Sequence, residues 1–204
     1  MTEEEKALSG VLFCPGDPAL VAMKLKAHNL NTAYNASFED EAQKRASIID
    51  ELLGEKGTDC RLQGPIYFHY GKHTSVGDHF FANFNLTVQD DARVTIGDNC
   101  NLGPGVTIVT PVHPMLPDER NAITDENGVP RHLCYARPVS IGSNCWLGAN
   151  VTVCSGVTIG DNCVIGAGSV VVKDIPPNSF AAGNPCRMIR EITEGDSIKY
   201  KPEI

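Results

Sequence analysis

From Ile141 the chain reads in units of six residues: IGSNCW, LGANVT, VCSGVT, IGDNCV, IGAGSV and VVKDIP. An aliphatic side chain opens every unit, at Ile141, Leu147, Val153, Ile159, Ile165 and Val171. Gly follows in four of the six, and the fifth place is small or β-branched: Cys145, Val151, Val157, Cys163, Ser169 and Ile175. The same frame occurs earlier as IGDNCN and LGPGVT, opened by Ile96 and Leu102, with Ile108 next in phase and a further unit, VGDHFF, beginning at Val76. Strands that turn a corner every six residues close a three-sided coil of about eighteen residues, whose opening aliphatics stack inside a narrow prism. The Gly beside each supplies backbone conformations that a Cβ would resist. The fifth residue also faces inward and must be small. The predicted fold is therefore mainly β: a left-handed parallel β-helix, hexad coils being the known exception to right-handed crossovers.

Cys145 and Cys163, eighteen residues apart, should stack inside the prism. They read either as a disulfide or metal pair or as two small buried hydrophobes. Their place in the small fifth position favours the second. Scarce aromatics (6%) suit an interior too narrow for large rings.

Three segments follow from where the frame starts and stops: a helical cap over 1–60, the β-helix over 61–190, and a tail over 191–204. In the cap, Asp17-Pro18 reads as an N-cap with Pro at the first helical position, followed by Leu20, Val21, Lys24 and Leu25 at helical spacing. Ser37 precedes a second run with Ala42, Ala46, Ile49, Leu52 and Leu53 on one stripe, ended by Gly54. Two helices would close one end of the prism, as repeat folds require. Pro176-Pro177 ends the hexads, and SFAAGNPCRMIREI reads as a returning strand. Between Ile108 and Ile141 the frame is lost in a stretch rich in Pro and charge. It is predicted to project as a loop over about 111–140, with Ala136-Arg137-Pro138 leading back into register.

A formal net charge of -8 excludes a basic stripe for phosphate neutralisation, so no nucleic-acid partner is expected. No stretch approaches the ~20 apolar residues of a membrane span, and MTEEEK leads into no apolar signal region. Eight cysteines include no C-x-x-C pair, which disfavours a zinc ribbon. A cytoplasmic protein is expected.

The informative chemistry lies at His113, where the projecting loop starts, with Asn83, Asn85, Asp90 and Asp91 in the coil before it. A neutral imidazole is the natural general base for a hydroxyl near pH 7; on spacing alone an ordinary loop histidine fits equally. Trp146, the single tryptophan, stands just before a hexad opening and should point outward, toward ligand or a neighbouring subunit.

The segments FANFNLTVQDDARVTIGDN, VHP at the loop entry, IGSNCWLGANV and IGAGSVVVKDIPPNSFAAGNPCRMIR, with Gly10, Phe13, Asp17 and Pro18 near the start, resemble the galactoside and maltose O-acetyltransferases. That family includes the nodulation-factor acetyltransferases. The resemblance implies direct acetyl transfer from acetyl-CoA, a co-substrate, to a sugar hydroxyl, in a homotrimer whose sites lie between subunits. It requires no metal. His113 then matches the catalytic base, Asn83 and Asp91 match acceptor-binding positions, and Ala149 offers the backbone N–H that faces the thioester oxygen. Ala167 and Val172 match backbone contacts to coenzyme A, and Lys173, Arg187 and Arg190 match positions near its phosphates; as plain residues the three cations also read as solvated charge. Trp146 matches a wall of the cleft. The chain departs from the pattern in a longer loop after His113 and in His69, which stands where an acceptor-binding serine would sit. Other readings are transfer to a different hydroxyl such as serine or an antibiotic, a γ-type carbonic anhydrase with zinc held by histidines, and a scaffold that keeps the prism without chemistry.

Overall fold

The computed structural model describes residues 1–124, 128 and 130–201. Three parallel sheets form the faces of a prism. The first face stacks Glu55–Lys56, Thr74–Val76, Val94–Ile96, Val139–Ile141 and Thr158–Ile159. The second stacks Arg61–Leu62, Phe81–Ala82, Asn101–Leu102, Trp146–Leu147, Val164–Ile165 and Ser179–Gly183. The third stacks Ile66–Phe68, Leu86–Gln89, Thr107–Val109, Thr152–Val153 and Val170–Val171. The predicted openers meet in register: Ile141 pairs with Ile96 and Ile159, Leu147 with Leu102 and Ile165, Val153 with Ile108 and Val171. All are buried, and with the fifth-place residues they form one continuous core. Complete burial of such a side chain contributes roughly 1.5–3 kcal/mol.

The glycines beside the openers serve a different purpose from the one expected. None of Gly97, Gly103, Gly142, Gly148 or Gly160 has positive φ; instead, a Cβ at Gly97 would lie 2.7 Å from the Ser143 nitrogen and one at Gly148 2.7 Å from that of Ala167. These glycines let one coil settle against the next. The left-handed conformation falls at the fourth hexad place, at Asn99, Gly105, Asn144, Asn150, Gly156, Asn162 and Gly168. Asn and Gly tolerate it. Two of these turns are tied into a ladder, with Asn144 Nδ2 donating to Asn162 Oδ1 (3.0 Å) and Asn162 Nδ2 to Asn178 Oδ1 (2.9 Å).

The coil length is not uniform. Eighteen residues separate Ile141 from Ile159, but Val76 pairs with Ile96 and Val88 with Ile108, twenty residues on. The two extra residues enter at the third corner, which follows the third face. At the far end Ile175 bridges Ile159 after only sixteen residues, so it takes an opening place rather than the fifth place expected. Cys100, Cys145 and Cys163 stack as free thiols, each donating to a carbonyl in the next coil (Gly142, Gly160 and Pro176, at 3.1, 3.2 and 3.1 Å). The hydrophobe reading of Cys145 and Cys163 holds.

The cap contains three helices, α1 (Glu3–Leu8), α2 (Pro18–Asn35) and α3 (Ala42–Leu52). Asp17 caps α2 through the Ala19 N–H, with Pro18 at the first turn as expected. The buried stripe of α2 is Leu20, Ala27, Asn31 and Tyr34, while Val21 and Leu25 face solvent. In α3, Ile49 and Leu52 are buried and Ala42 and Ala46 are exposed; Glu41, not Ser37, stands at its start. The cap engages the open edge of the first coil with side chains. Asn31 exchanges hydrogen bonds with the Phe68 carbonyl (2.7 Å) and N–H (3.2 Å), and Asn35 does the same with Ile66 (2.9 and 2.7 Å). Arg45 donates to the Leu62 and Gln63 carbonyls at 2.9 and 2.8 Å. The two asparagines, one helical turn apart, stand in for a missing neighbour strand.

The returning segment forms two strands. Ser179–Gly183 completes the second face, and Cys186–Glu191 folds back antiparallel on it. The loop projects from the third corner: Pro111–Val112 pairs antiparallel with Tyr135–Ala136 at its base, and Arg137 N–H donates to Thr110 O as the chain returns to register. Residues 125–127 and 129 of the predicted loop and 202–204 of the tail lie outside the described residues.

Candidate functional site

The second corner, which follows the second face, carries a groove of about 630 Å³ lined by Phe81, Asn83, Asn101, Gly103, Trp146 and Ala149 among others. Asn83 is fixed by its N–H to Leu102 O (2.9 Å) and by its Oδ1, which accepts from the Phe84 N–H (2.8 Å). Asn85 turns the chain at φ 63° immediately after. Trp146 pairs with Asn101 and Val164, and its side chain is 56% exposed, outward as expected. The Ala149 N–H has no acceptor among the described residues. A Cβ at residue 103 would lie 2.7 Å from that nitrogen. The bare Gly103 therefore leaves room beside a free backbone donor, the kind of group that stabilises a developing oxyanion. Ala167 is exposed one coil on, where Gly168 N–H donates to Ala149 O (2.8 Å).

The third corner carries the acid–base groups. Its two extra residues per coil make space for a small cluster in which Tyr70, Ala92, Cys134 and Ala136 pack on Ala7, Phe13 and Leu20 of the cap. Asp90 is spent on structure: its carboxylate accepts from Tyr70 N–H (2.8 Å) and Thr74 Oγ1 (2.9 Å), and its carbonyl meets His73 Nδ1 at 2.8 Å. Asp91 is 4% exposed. Burial, reinforced by the charge of Asp90, pushes its carboxyl up to about 6. The buried Tyr70 hydroxyl beside it has no hydrogen-bond partner among the described residues. His69 is half-buried, and burial, aided by Lys24, His28 and His73, lowers its imidazole to about 4, so it is neutral at pH 7. His113 is exposed at the base of the loop, directly after Pro111–Val112, and the bridge between Phe13 and Cys134 ties the N-terminal segment to the same base.

Val172 and Lys173 are exposed at the third corner, one coil beyond Cys154. Arg187 and Arg190 lie on the antiparallel outer strand, opposite Ala182 and Phe180. Arg187 Nη1 donates to Cys186 O (2.7 Å). Arg190 makes a two-pronged pair with Asp196 (2.6 and 2.8 Å), a partner the sequence reading did not foresee. The structure thus gathers Asn83, Trp146 and Ala149 at one corner and His69, Asp91 and His113 at another. Sequence reasoning missed Phe81, Asn101 and Gly103 in the groove, although Asn101 and Gly103 stand one coil below Trp146 and Gly148. Tyr70 carried no signal at all. Among the described residues no three His, Cys, Asp or Glu side chains are grouped to hold a metal ion.

A parallel β-helix of hexads with a backbone-donor groove and a histidine at a projecting loop defines a hexapeptide-repeat acetyltransferase. Two family models match: the hexapeptide repeat of succinyl-transferase over residues 93–113 and 138–173, and the maltose acetyltransferase hexapeptide capping motif over 6–57. The galactoside O-acetyltransferase of Escherichia coli is 43% identical over 200 residues, covering 98% of this chain and 94% of that one. Nodulation protein L of Rhizobium meliloti is 38% identical, covering 92% and 97%. Among solved structures, a maltose O-acetyltransferase from Clostridium difficile superposes with a TM-score of 0.88 at 43% identity, covering 95% of this chain and 99% of that one. A galactoside acetyltransferase in complex with coenzyme A gives 0.87 at 43% identity, covering 96% and 94%. The chain belongs to the galactoside and maltose O-acetyltransferase family.

Proposed function

We propose that the protein transfers acetyl from acetyl-CoA to a sugar hydroxyl as a cytoplasmic homotrimer, each site completed by two subunits. One observation supports this reading: the residues that the family resemblance assigns to the site lie on two different corners of the prism. Asn83, Trp146 and Ala149 face one groove, and Asp91 and His113 face the neighbouring corner. A triangular column supplies both halves to a common cleft when three copies pack corner to corner in cyclic symmetry.

In that cleft His113 accepts the proton of the acceptor hydroxyl as its oxygen attacks the thioester carbonyl carbon. The Ala149 N–H stabilises the oxyanion. Collapse breaks the C–S bond, and the protonated imidazole returns its proton to the departing thiolate of coenzyme A. Asn83 and Asp91 hold neighbouring hydroxyls so that the reacting one stays beside the base. Ala167, Val172, Lys173 and Arg187 line the path of coenzyme A; Arg190 joins them on release from Asp196. The relatives named for galactoside and maltose support a sugar acceptor, and the relative solved with coenzyme A supports the donor.

The test is thiol release from acetyl-CoA against a panel of mono- and disaccharides, with serine and a hydroxylated antibiotic as controls. Saturable release with a sugar is expected. Release only with serine or the antibiotic would replace the acceptor class, and no release with any acceptor would reject the activity.

A further inference from the structure

The third corner ends in a row of cations. Lys72, Arg93 and Arg137 are exposed where three successive coils pass from that corner into the first face. Ladder bonds fix their order: Val94 N–H donates to His73 O (2.9 Å) and Val139 N–H to Arg93 O (3.0 Å). Neighbouring strands lie about 4.8 Å apart, so the row spans roughly 10 Å. None of the three makes an ion pair among the described residues. Beside the row, on the outer surface of the first face, Ser75, Thr95 and Ser140 stand in register. The next coil carries no charge over residues 154–157, which separates the row from Lys173, the cation proposed for coenzyme A.

Three like charges at this spacing repel one another, and an anion set against them relieves the repulsion. Guanidinium groups grip phosphate and carboxylate through paired N–H donors, and an ammonium adds a point charge. The hydroxyls of Ser75, Thr95 and Ser140 supply further donors.

The row also borders the proposed chemistry. Arg93 comes two residues after Asp91, and Lys72 three after His69. Arg137 follows Ala136, whose strand pairs with Pro111–Val112 directly before His113. Asp90 and Asp91 are buried, at 0% and 4% exposure, whereas the three cations are exposed. A ligand arriving from solvent therefore meets positive charge first. In the proposed trimer, second and third corners meet around an inward third face. The first face then looks outward, and its edge at the third corner forms the outer lip of the cleft.

We infer that this row binds an anionic group on the acceptor, a phosphate or a carboxylate carried by the sugar. The inference rests on the sugar O-acetyltransferase reading and adds a charge to the acceptor class. Lys72, Arg93 and Arg137 hold the anion at the lip while the reacting hydroxyl reaches His113.

The experiment measures kcat/KM for galactose and glucose, their 1- and 6-phosphates and the corresponding uronates, at low and high salt. Charge at C1 in one phosphate and at C6 in the other leaves every hydroxyl free in at least one acceptor. Wild-type enzyme is expected to favour at least one anionic acceptor over its neutral parent by about tenfold or more, and salt to shrink that preference. A preference confined to phosphates or to uronates names the group. The triple variant Lys72→Gln, Arg93→Gln, Arg137→Gln is expected to lose the preference while its value for the neutral sugar changes less than twofold. A wild-type enzyme that acetylates neutral sugars with no anionic preference removes the row and leaves the transferase reading standing. A preference that survives the triple substitution also overturns the row. So does a variant whose trimer falls apart, because the row is then a subunit contact. Calorimetric titration with the same phosphates and uronates reads the row without turnover. Binding weakened at least fivefold by the triple substitution supports it even if no sugar is acetylated; absent or unchanged binding rejects it.

Discussion

Asn83 and His113 stand at adjacent corners of the same prism, with the third face between them. Asn83 follows Ala82 at the end of a second-face strand, whereas His113 follows the third-face strand Thr107–Val109 and the base of the loop. Between the two corners run Leu86–Gln89 and its neighbours, packed on the core. The proposed reaction uses both residues and therefore draws them from two chains.

Complementation checks this geometry. Asn83→Ala and His113→Ala proteins, each expected to be inactive, are unfolded together, mixed in equal amounts and refolded. Random assembly places an intact Asn83 opposite an intact His113 in about one quarter of the sites. Recovery of about a quarter of wild-type activity is expected. Activity no higher than that of the separate variants would show that both residues act within one chain.

His113 is exposed and lies outside the core, so its removal should spare the fold. His113→Ala is expected to lower transfer by roughly 10²–10⁴-fold, the range for a lost general base, with an unchanged melting temperature. Normal turnover would remove His113 from the chemistry.

Arg187 offers a test of the donor side of the proposed site. Its guanidinium is held only by the Cys186 carbonyl among the described groups, and the side chain is exposed. Arg187→Ala is expected to raise the KM for acetyl-CoA several-fold and leave that for the sugar within twofold. Equal increases would reject the assignment.

Asp91 gives a pH signature. Its carboxyl titrates near 6 in the folded protein, against an ordinary value of 3.8, because burial and Asp90 disfavour the charge. The native state therefore holds a proton that the unfolded state releases between pH 4 and 6. Stability falls as pH rises through this window and the cost is fully present above it, on the order of 2–3 kcal/mol. Asp91→Asn is expected to melt higher than wild type at pH 7.5 and equally at pH 4. Acceptor binding runs the other way: the KM for sugar should rise as pH drops below about 6, where the carboxylate proposed to hold the acceptor is lost. A wild-type KM that is flat between pH 5 and 8 would take Asp91 out of the acceptor site.

Coil spacing makes a purely structural prediction. Gly97 lies on the first corner, away from both half-sites, and a Cβ there would press on the Ser143 backbone. Gly97→Ala is expected to cost about 1–3 kcal/mol, the usual penalty for forcing atoms into a packed interior. Activity per folded molecule should stay the same. Thermal melting and titration of active sites read the two quantities separately.

Much of the column was legible because its physics is periodic. Ile141, Leu147, Val153, Ile159, Ile165 and Val171 recur at fixed spacing, and a stacked core admits only one reading of that recurrence. Ile175 broke the count because Pro176-Pro177 and Asp174 leave no room for the glycine-floored corner of the earlier units, and the coil closes two residues short. The twenty-residue coils were hidden for the opposite reason: their extra residues, around Tyr70 and Asp91, are packed by distant residues such as Phe13 and Cys134, which no local pattern announces. On α2, Val21 and Leu25 have the spacing of a buried stripe, yet the helix turns Asn31 and Asn35 onto the open edge of the strand Ile66–Phe68, whose backbone groups need partners. The roles of His113, Asn83 and the basic residues, and a site between subunits, came from family resemblance; which corner of the prism carries each residue came from coordinates.

A stack of parallel coils has no natural last member: each end offers a row of backbone donors and acceptors ready to seat another strand. Here Asn31, Asn35 and Arg45 occupy that row at one end. At the other, Pro177 lies over Gly160 without an N–H to offer, and the antiparallel strand Cys186–Glu191 takes the edge of Ser179–Gly183 on the second face. Growth along the column axis is thereby blocked, leaving sideways contact as the open route to assembly, the direction in which two unlike corners can meet.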